Sequence, residues 1–83
     1  MAKGTIHYWA AAKDAAGVAE ESFEAETLAE LMANVTLGRD ELARVVGRSS
    51  FLVDGDPVGR RAHGAVVLAE GATVEVLPPF AGG

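Results

Sequence analysis

Thr73-Val74-Glu75-Val76-Leu77-Pro78-Pro79 is the stretch that decides the fold. Its first five residues alternate and include three β-branched side chains, the pattern of a strand with one buried face. Thr73, Glu75 and Leu77 share the polar-parity side, leaving Val74 and Val76 for the core. The two prolines end the strand, because neither has an N–H to give to a ladder. Phe80-Ala81-Gly82-Gly83 follow.

The strand needs partners, and the other end of the chain supplies them. Thr5-Ile6-His7-Tyr8-Trp9 is β-branched and aromatic. Ile6, Tyr8 and Ala10 share a face expected to be core; Thr5, His7 and Trp9 share the other. Ala11 to Gly17 reads as a turn or a short helical piece. Val18 to Ala25 returns as a second strand, predicting an antiparallel pair. Thr27-Leu28-Ala29-Glu30 is a capping box that opens a helix with Leu28, Leu31, Met32 and Val35 on one stripe. Gly38 stops it. Asp40 reopens a helical turn with Leu42, Val45 and Val46 on its apolar face, ending at Gly47. Ser50 to Val53 is a short strand entering the turn Asp54-Gly55-Asp56-Pro57, and Val58 is expected to start a brief return strand. Arg60 to Gly64 reads as a loop. The order predicts an α+β domain: a mixed sheet of about four to five strands with one main helix packed on one face. Residues 1–78 are expected to form the domain and 79–83 a flexible tail.

Composition removes several classes of function. At 83 residues there is room for one small domain and little room for a deep catalytic cavity. Cysteine is absent, so disulfides, thiolate zinc sites and a nucleophilic thiol are excluded. A net charge of −5 argues against nucleic acid, whose phosphates call for a positive footprint. Met1-Ala2-Lys3-Gly4 lacks a signal-peptide apolar region, and no apolar run is long enough to span a bilayer, so no membrane partner is expected and the expected location is the cytoplasm.

The usual catalytic constellations are missing. His7 and His63 are far apart in sequence; a metal site would need Asp or Glu beside them, and the plainer reading is one sheet histidine and one loop histidine. No metal ligand set is expected. Glu20, Glu21, Glu24 and Glu26 read as a solvated strand-to-helix face or, alternatively, an electrostatic docking surface. Arg60-Arg61 reads as a solvated dibasic loop. Two features call for more. Pro78-Pro79 is stiff and extended, while Gly82-Gly83 has no side chains and could thread a narrow channel to present a carboxylate; the alternative is a frayed end. That carboxylate is ionised at neutral pH and a poor electrophile until another enzyme activates it, for example as an acyl-adenylate. Trp9 and Leu77 both fall on polar-parity faces. If the first and last strands are neighbours, they form an exposed apolar patch at the base of the tail, unless a bulge buries one of them.

The segment Leu68 to Gly83 closely resembles the C-terminal signature of the MoaD/ThiS family of ubiquitin-like sulfur-carrier proteins. Tyr8-Trp9-Ala10, Ala16-Gly17, the acidic second strand and the Thr27-Leu28-Ala29-Glu30-Leu31 helix opening resemble the MoaD branch. The sequence departs from the pattern at Asp54-Gly55, where many relatives carry Asn before Gly. The resemblance implies a β-grasp fold. It also implies that a MoeB- or ThiF-like enzyme uses ATP to adenylate the carboxylate of Gly83, which a sulfur donor converts to a thiocarboxylate. Gly82 would give access. Trp9, Leu77, Pro78, Pro79, Phe80 and Ala81 would dock partners and position the tail. For MoaD the partner is the MoaE-like large subunit of molybdopterin synthase, with the carrier as its small subunit and co-substrate, not catalytic alone. No cofactor is expected on the chain itself. Thiazole, cysteine or secondary-metabolite pathways, and a ubiquitin-like modifier or binding module, remain the alternatives.

Overall fold

The computed structural model describes residues 1–79. The chain runs β1 (Ala2–Tyr8), α1 (Ala10–Ala16), β2 (Glu20–Ala25), α2 (Leu28–Thr36), α3 (Asp40–Val46), β3 (Ser50–Val53), β4 (Asp56–Pro57), a 3-10 turn (His63–Ala65) and β5 (Thr73–Leu77). The five strands form one mixed sheet in the order β2-β1-β5-β3-β4. β1 is parallel to β5 and antiparallel to β2; β5 is antiparallel to β3, and β3 to β4. This is the expected α+β, β-grasp arrangement.

Period-two alternation decides which residues reach the core. Ile6 and Tyr8 from β1, Phe23 and Ala25 from β2, Phe51 from β3, and Val74 and Val76 from β5 line the inner face. Leu28, Leu31 and Met32 of α2 cover them, with Leu42 and Val46 of α3 and Ala12 of α1. The capping box forms: Thr27 Oγ1 accepts from the Glu30 N–H at 3.2 Å. The Glu30 carboxylate reaches one residue further back than the motif predicts, accepting from the Glu26 N–H at 3.0 Å. α1 ends at Gly17, whose φ of 80° suits a residue without Cβ.

Four sequence expectations need correction. Ala10 is exposed and not core, because the chain leaves β1 at Trp9 and Ala10 takes φ 49° to start α1. β2 starts at Glu20, two residues later than expected, since α1 and its cap consume the connection. The return strand is Asp56–Pro57 and does not begin at Val58. Asp54 (φ 50°) and Gly55 (φ 85°) alone make the turn, the left-handed pair of a two-residue hairpin. Pro57 is tolerated because β4 is an edge. Finally, Glu21 does not belong to the solvated acidic face. It pairs with Ile6 in register and so points inward, where its carboxylate accepts from the Tyr8 hydroxyl at 2.5 Å and meets Arg39 Nη1 at 2.7 Å.

That cluster ties β1 and β2 to the start of α3. The Arg39 guanidinium holds the Glu21 carboxyl below the usual carboxylate range, outweighing the opposing effect of burial. Burial, then the bond to Glu21, pushes the Tyr8 hydroxyl up, so it stays a donor at all ordinary pH. A carboxyl depressed on folding contributes stability above its unfolded value of about 4.3, which is lost as pH falls through the depressed one. Arg39→Leu should therefore cost most near neutrality. The gap in denaturant midpoint from the parent should narrow steadily in acid. A gap constant between neutrality and pH of about 3 would refute this role for the pair.

Candidate functional site

β5 is the middle strand of the sheet, held by β1 as far as Val76 and by β3 as far as its last residue, Leu77. Tyr8 pairs with Val76 and Ser50 with Leu77, and the Trp9 N–H donates to the Val76 carbonyl at 3.3 Å. Pro78 is half-buried and Pro79 exposed. The point from which the chain leaves the sheet is therefore fixed by two neighbours, and the prolines add stiffness there. Phe80, Ala81, Gly82 and Gly83 lie outside the described residues.

Trp9 reaches the outer face through the local backbone. It is extended (φ −116°, ψ 149°) and caps α1, its carbonyl accepting from the Ala12 N–H at 2.9 Å. The indole is 49% exposed, which is high for so large an apolar side chain. Its Nε1–H donates to the Glu75 carboxylate at 3.2 Å, fixing the ring along the outer side of β5. Leu77 is half-buried on the same parity. The expected juxtaposition at the base of the tail is thus present: Trp9 and Leu77 each sit one position beyond the Tyr8–Val76 pair. Neither is buried by a bulge.

Sequence reasoning missed Leu52 and the anchoring role of Glu75. Leu52 lies beside Glu75 in the β3–β5 register and opposite Pro57 on β4. It extends the apolar strip from Trp9 and Leu77 towards the β4 edge. The signal was available only through register: once Ser50 stands opposite Leu77, Leu52 must share its face. On the other side of Glu75 stands His7, with Nδ1 at 3.7 Å from a Glu20 carboxylate oxygen. The outer face is therefore apolar near the tail and acidic towards β2.

The remaining candidates are dispersed. His63 stacks edge-on against the core ring of Phe51, ring centroids 5.1 Å apart, whereas His7 lies on the outer face of the sheet two strands away. Among the described residues no group of three or more His, Asp or Glu could hold a metal ion. Arg61 donates to the carbonyls of Val58 and Pro57 at 3.1 Å each, so one of the two loop arginines ties the loop together. Glu20, Glu24 and Glu26 are exposed. No described helix is long and apolar enough to cross a membrane.

The model of the ThiS family matches residues 6–83, nearly the whole chain. The chain belongs to the ThiS family. No curated protein matches this ThiS-family chain. Among solved structures it is similar to small archaeal modifier protein 1 from Methanosarcina acetivorans, at 21% identity and TM-score 0.86, covering 100% of this chain and 98% of that one. The crystal structure of the Haloferax volcanii modifier protein 1 gives 20% identity and TM-score 0.80, covering 98% and 99%. A complex of subunits 1 and 2 of molybdopterin-converting factor from Helicobacter pylori gives 18% and 0.72, again covering 98% and 99%. At these identities the likeness establishes the shared β-grasp fold.

Proposed function

We propose that this ThiS-family chain is a sulfur carrier whose Gly83 carboxylate is adenylated, converted to a thiocarboxylate and spent in molybdopterin biosynthesis. The carrying observation is the family match running through Gly82-Gly83. The chemistry is balanced in two steps. A carboxylate oxygen attacks the α-phosphorus of ATP on a MoeB- or ThiF-like partner, and pyrophosphate leaves. Sulfide then attacks the acyl carbon, AMP leaves, and the sulfur stays on the carbonyl as a thiocarboxylate. The carrier's share is presentation: Pro78 and Pro79 stiffen the exit from the sheet, Phe80 and Ala81 lead on, and Gly82 adds no bulk beside the reacting carbon.

Trp9 and Leu77, with Leu52, form the apolar face that docks partners. A large-subunit partner is favoured by the Helicobacter pylori neighbour, which is itself a complex of two converting-factor subunits. Intact-mass measurement after incubation with the activating enzyme, ATP and sulfide tests the reading. The expected product gains one oxygen-to-sulfur exchange at Gly83; an unchanged mass with every cognate activating enzyme overturns it. Supplying the product to the large subunit with a pterin precursor then tests the pathway.

A second reading, a protein modifier, is favoured by the likeness to the two archaeal modifier proteins. It predicts an isopeptide bond between Gly83 and a lysine of another protein, seen as an Ala-Gly-Gly remnant on that lysine after chymotryptic cleavage at Phe80.

A further inference from the structure

β2 is an edge strand, and among the described residues nothing covers most of that edge. The Tyr8 N–H donates to the Ala19 carbonyl at 2.8 Å. In antiparallel alternation this turns the N–H and C=O of Glu21 and Phe23 towards β1, and those of Glu20, Ser22 and Glu24 away from it. Past Ala25 the same side is occupied: the Leu68 N–H donates to the Glu26 carbonyl at 2.8 Å, and Thr27 bridges Val67. The chain thus adds a strand-like segment of its own to one end of this edge and leaves Glu20–Glu24 open.

The surface beside the open part is shaped on both faces. One groove runs between β2 and the end of α2, walled by the apolar Phe23, Leu31, Val35 and Leu37 and the polar Glu21, Asn34 and Arg39. A second lies on the outer face beside Gly4 and Thr5. Both border Ser22, Phe23 and Glu24. Leu37 is 84% exposed, the largest exposure among the big apolar side chains described. The outward side chains of the strand are Glu20, Ser22 and Glu24, all exposed.

We propose that the β2 edge binds an extended, basic segment of a partner protein as an added strand. Its backbone would pair with Ser22 and Glu24. Its inward side chains, small and apolar, would fill the groove at Val35 and Leu37; its outward ones, Lys or Arg, would lie opposite Glu20 and Glu24. Cross-strand pairs of opposite charge stabilise such an arrangement and like charges oppose it. The same rule disfavours a second copy: two β2 edges paired antiparallel about Ser22 would set Glu20 against Glu24 of the other chain. This surface is separate from the Trp9–Leu77 face, so the inference stands or falls independently of the sulfur-carrier reading.

The test is titration of isotope-labelled full-length protein with a short peptide of alternating Lys and Val, followed by amide NMR. Signals of Ser22, Glu24 and Leu37 should shift, and amide exchange at Ser22 and Glu24 should slow. Added salt should weaken binding. Leu37→Ser and Ser22→Pro should each weaken it about tenfold or more, the first by removing the apolar wall of the groove without altering its charge, the second by removing an outward N–H. Where Ser22→Pro disturbs the fold, Leu37→Ser, at an exposed loop position, carries the test alone. Equal binding of a Glu-Val peptide overturns the proposal. So do shifts confined to Trp9 and Leu77, or no shift at millimolar peptide. Concentration-dependent shifts at Ser22 and Glu24 without peptide would assign the edge to a second copy instead.

Discussion

Deleting Gly83, or adding a residue after it, is expected to abolish thiocarboxylate formation while leaving the fold intact. The core closes at Val76, and the last described residues beyond it, Pro78 and Pro79, are half-buried and exposed, so the deletion removes no packing there. Shortening an extended tail by one residue withdraws the carboxylate by roughly 3.5 Å. Misplacement by about 1 Å already costs on the order of a hundredfold in a positioned reaction. Extension is as severe from the other direction: the Gly83 carboxyl becomes an unreactive amide, and the new terminal carboxylate lies roughly 3.5 Å past the reacting position. Trp9→Arg should behave in the opposite way. The tail keeps its chemistry, but a charge on the proposed docking face should weaken capture by about tenfold or more, as loss of a central aromatic does at other interfaces. Activation by excess enzyme would then recover. Intact mass and enzyme-concentration dependence separate the two outcomes. A thiocarboxylate formed normally on the extended chain would remove Gly83 from its role.

How far the chain could be read depended on the range of the signal. β3 and β5 match at both ends because their alternation is local and their stops, Asp54-Gly55 and Pro78, are local too. α2 was legible from its cap and stripe. The first connection was not decided, because a run of alanines between Tyr8 and Gly17 has no periodicity; only packing of Ala12 into the core selects helix. Glu21 misled because a carboxylate among carboxylates looks solvated. Its inward direction follows from β1–β2 register, and its partner Arg39 lies 18 residues away. In the site, Trp9 and Leu77 were visible as parity violations. Leu52 became visible only with the strand order. The tail, Phe80 to Gly83, lies outside the described residues, and its reading rests on composition and resemblance alone.

The second large effect is expected at a residue with no marker in the sequence. Gly4 sits in the middle of β1, opposite Phe23, and takes an ordinary extended conformation, so its glycine is not explained by a turn. A β-carbon built there would lie 2.2 Å from the Ala72 carbonyl oxygen and 2.7 Å from the Phe23 ring. The ring could swing; the carbonyl cannot, because it accepts from the Thr5 N–H at 3.0 Å as β1 meets β5. Gly4→Ala must therefore push the two central strands apart where their parallel pairing begins. Overpacking of this kind costs about 3 kcal/mol. For a domain of this size that is a fall of roughly 15 °C in midpoint. Gly17→Ala is the contrast: its Cβ meets nothing within 4 Å, so only the left-handed backbone resists, at about 1 kcal/mol. Thermal unfolding of both variants measures the difference. Gly4→Ala proving no worse than Gly17→Ala would mean that the β1–β5 junction yields. That junction sets the Trp9–Leu77 register, so the proposed docking face would then be less firmly built than its hydrogen bonds indicate.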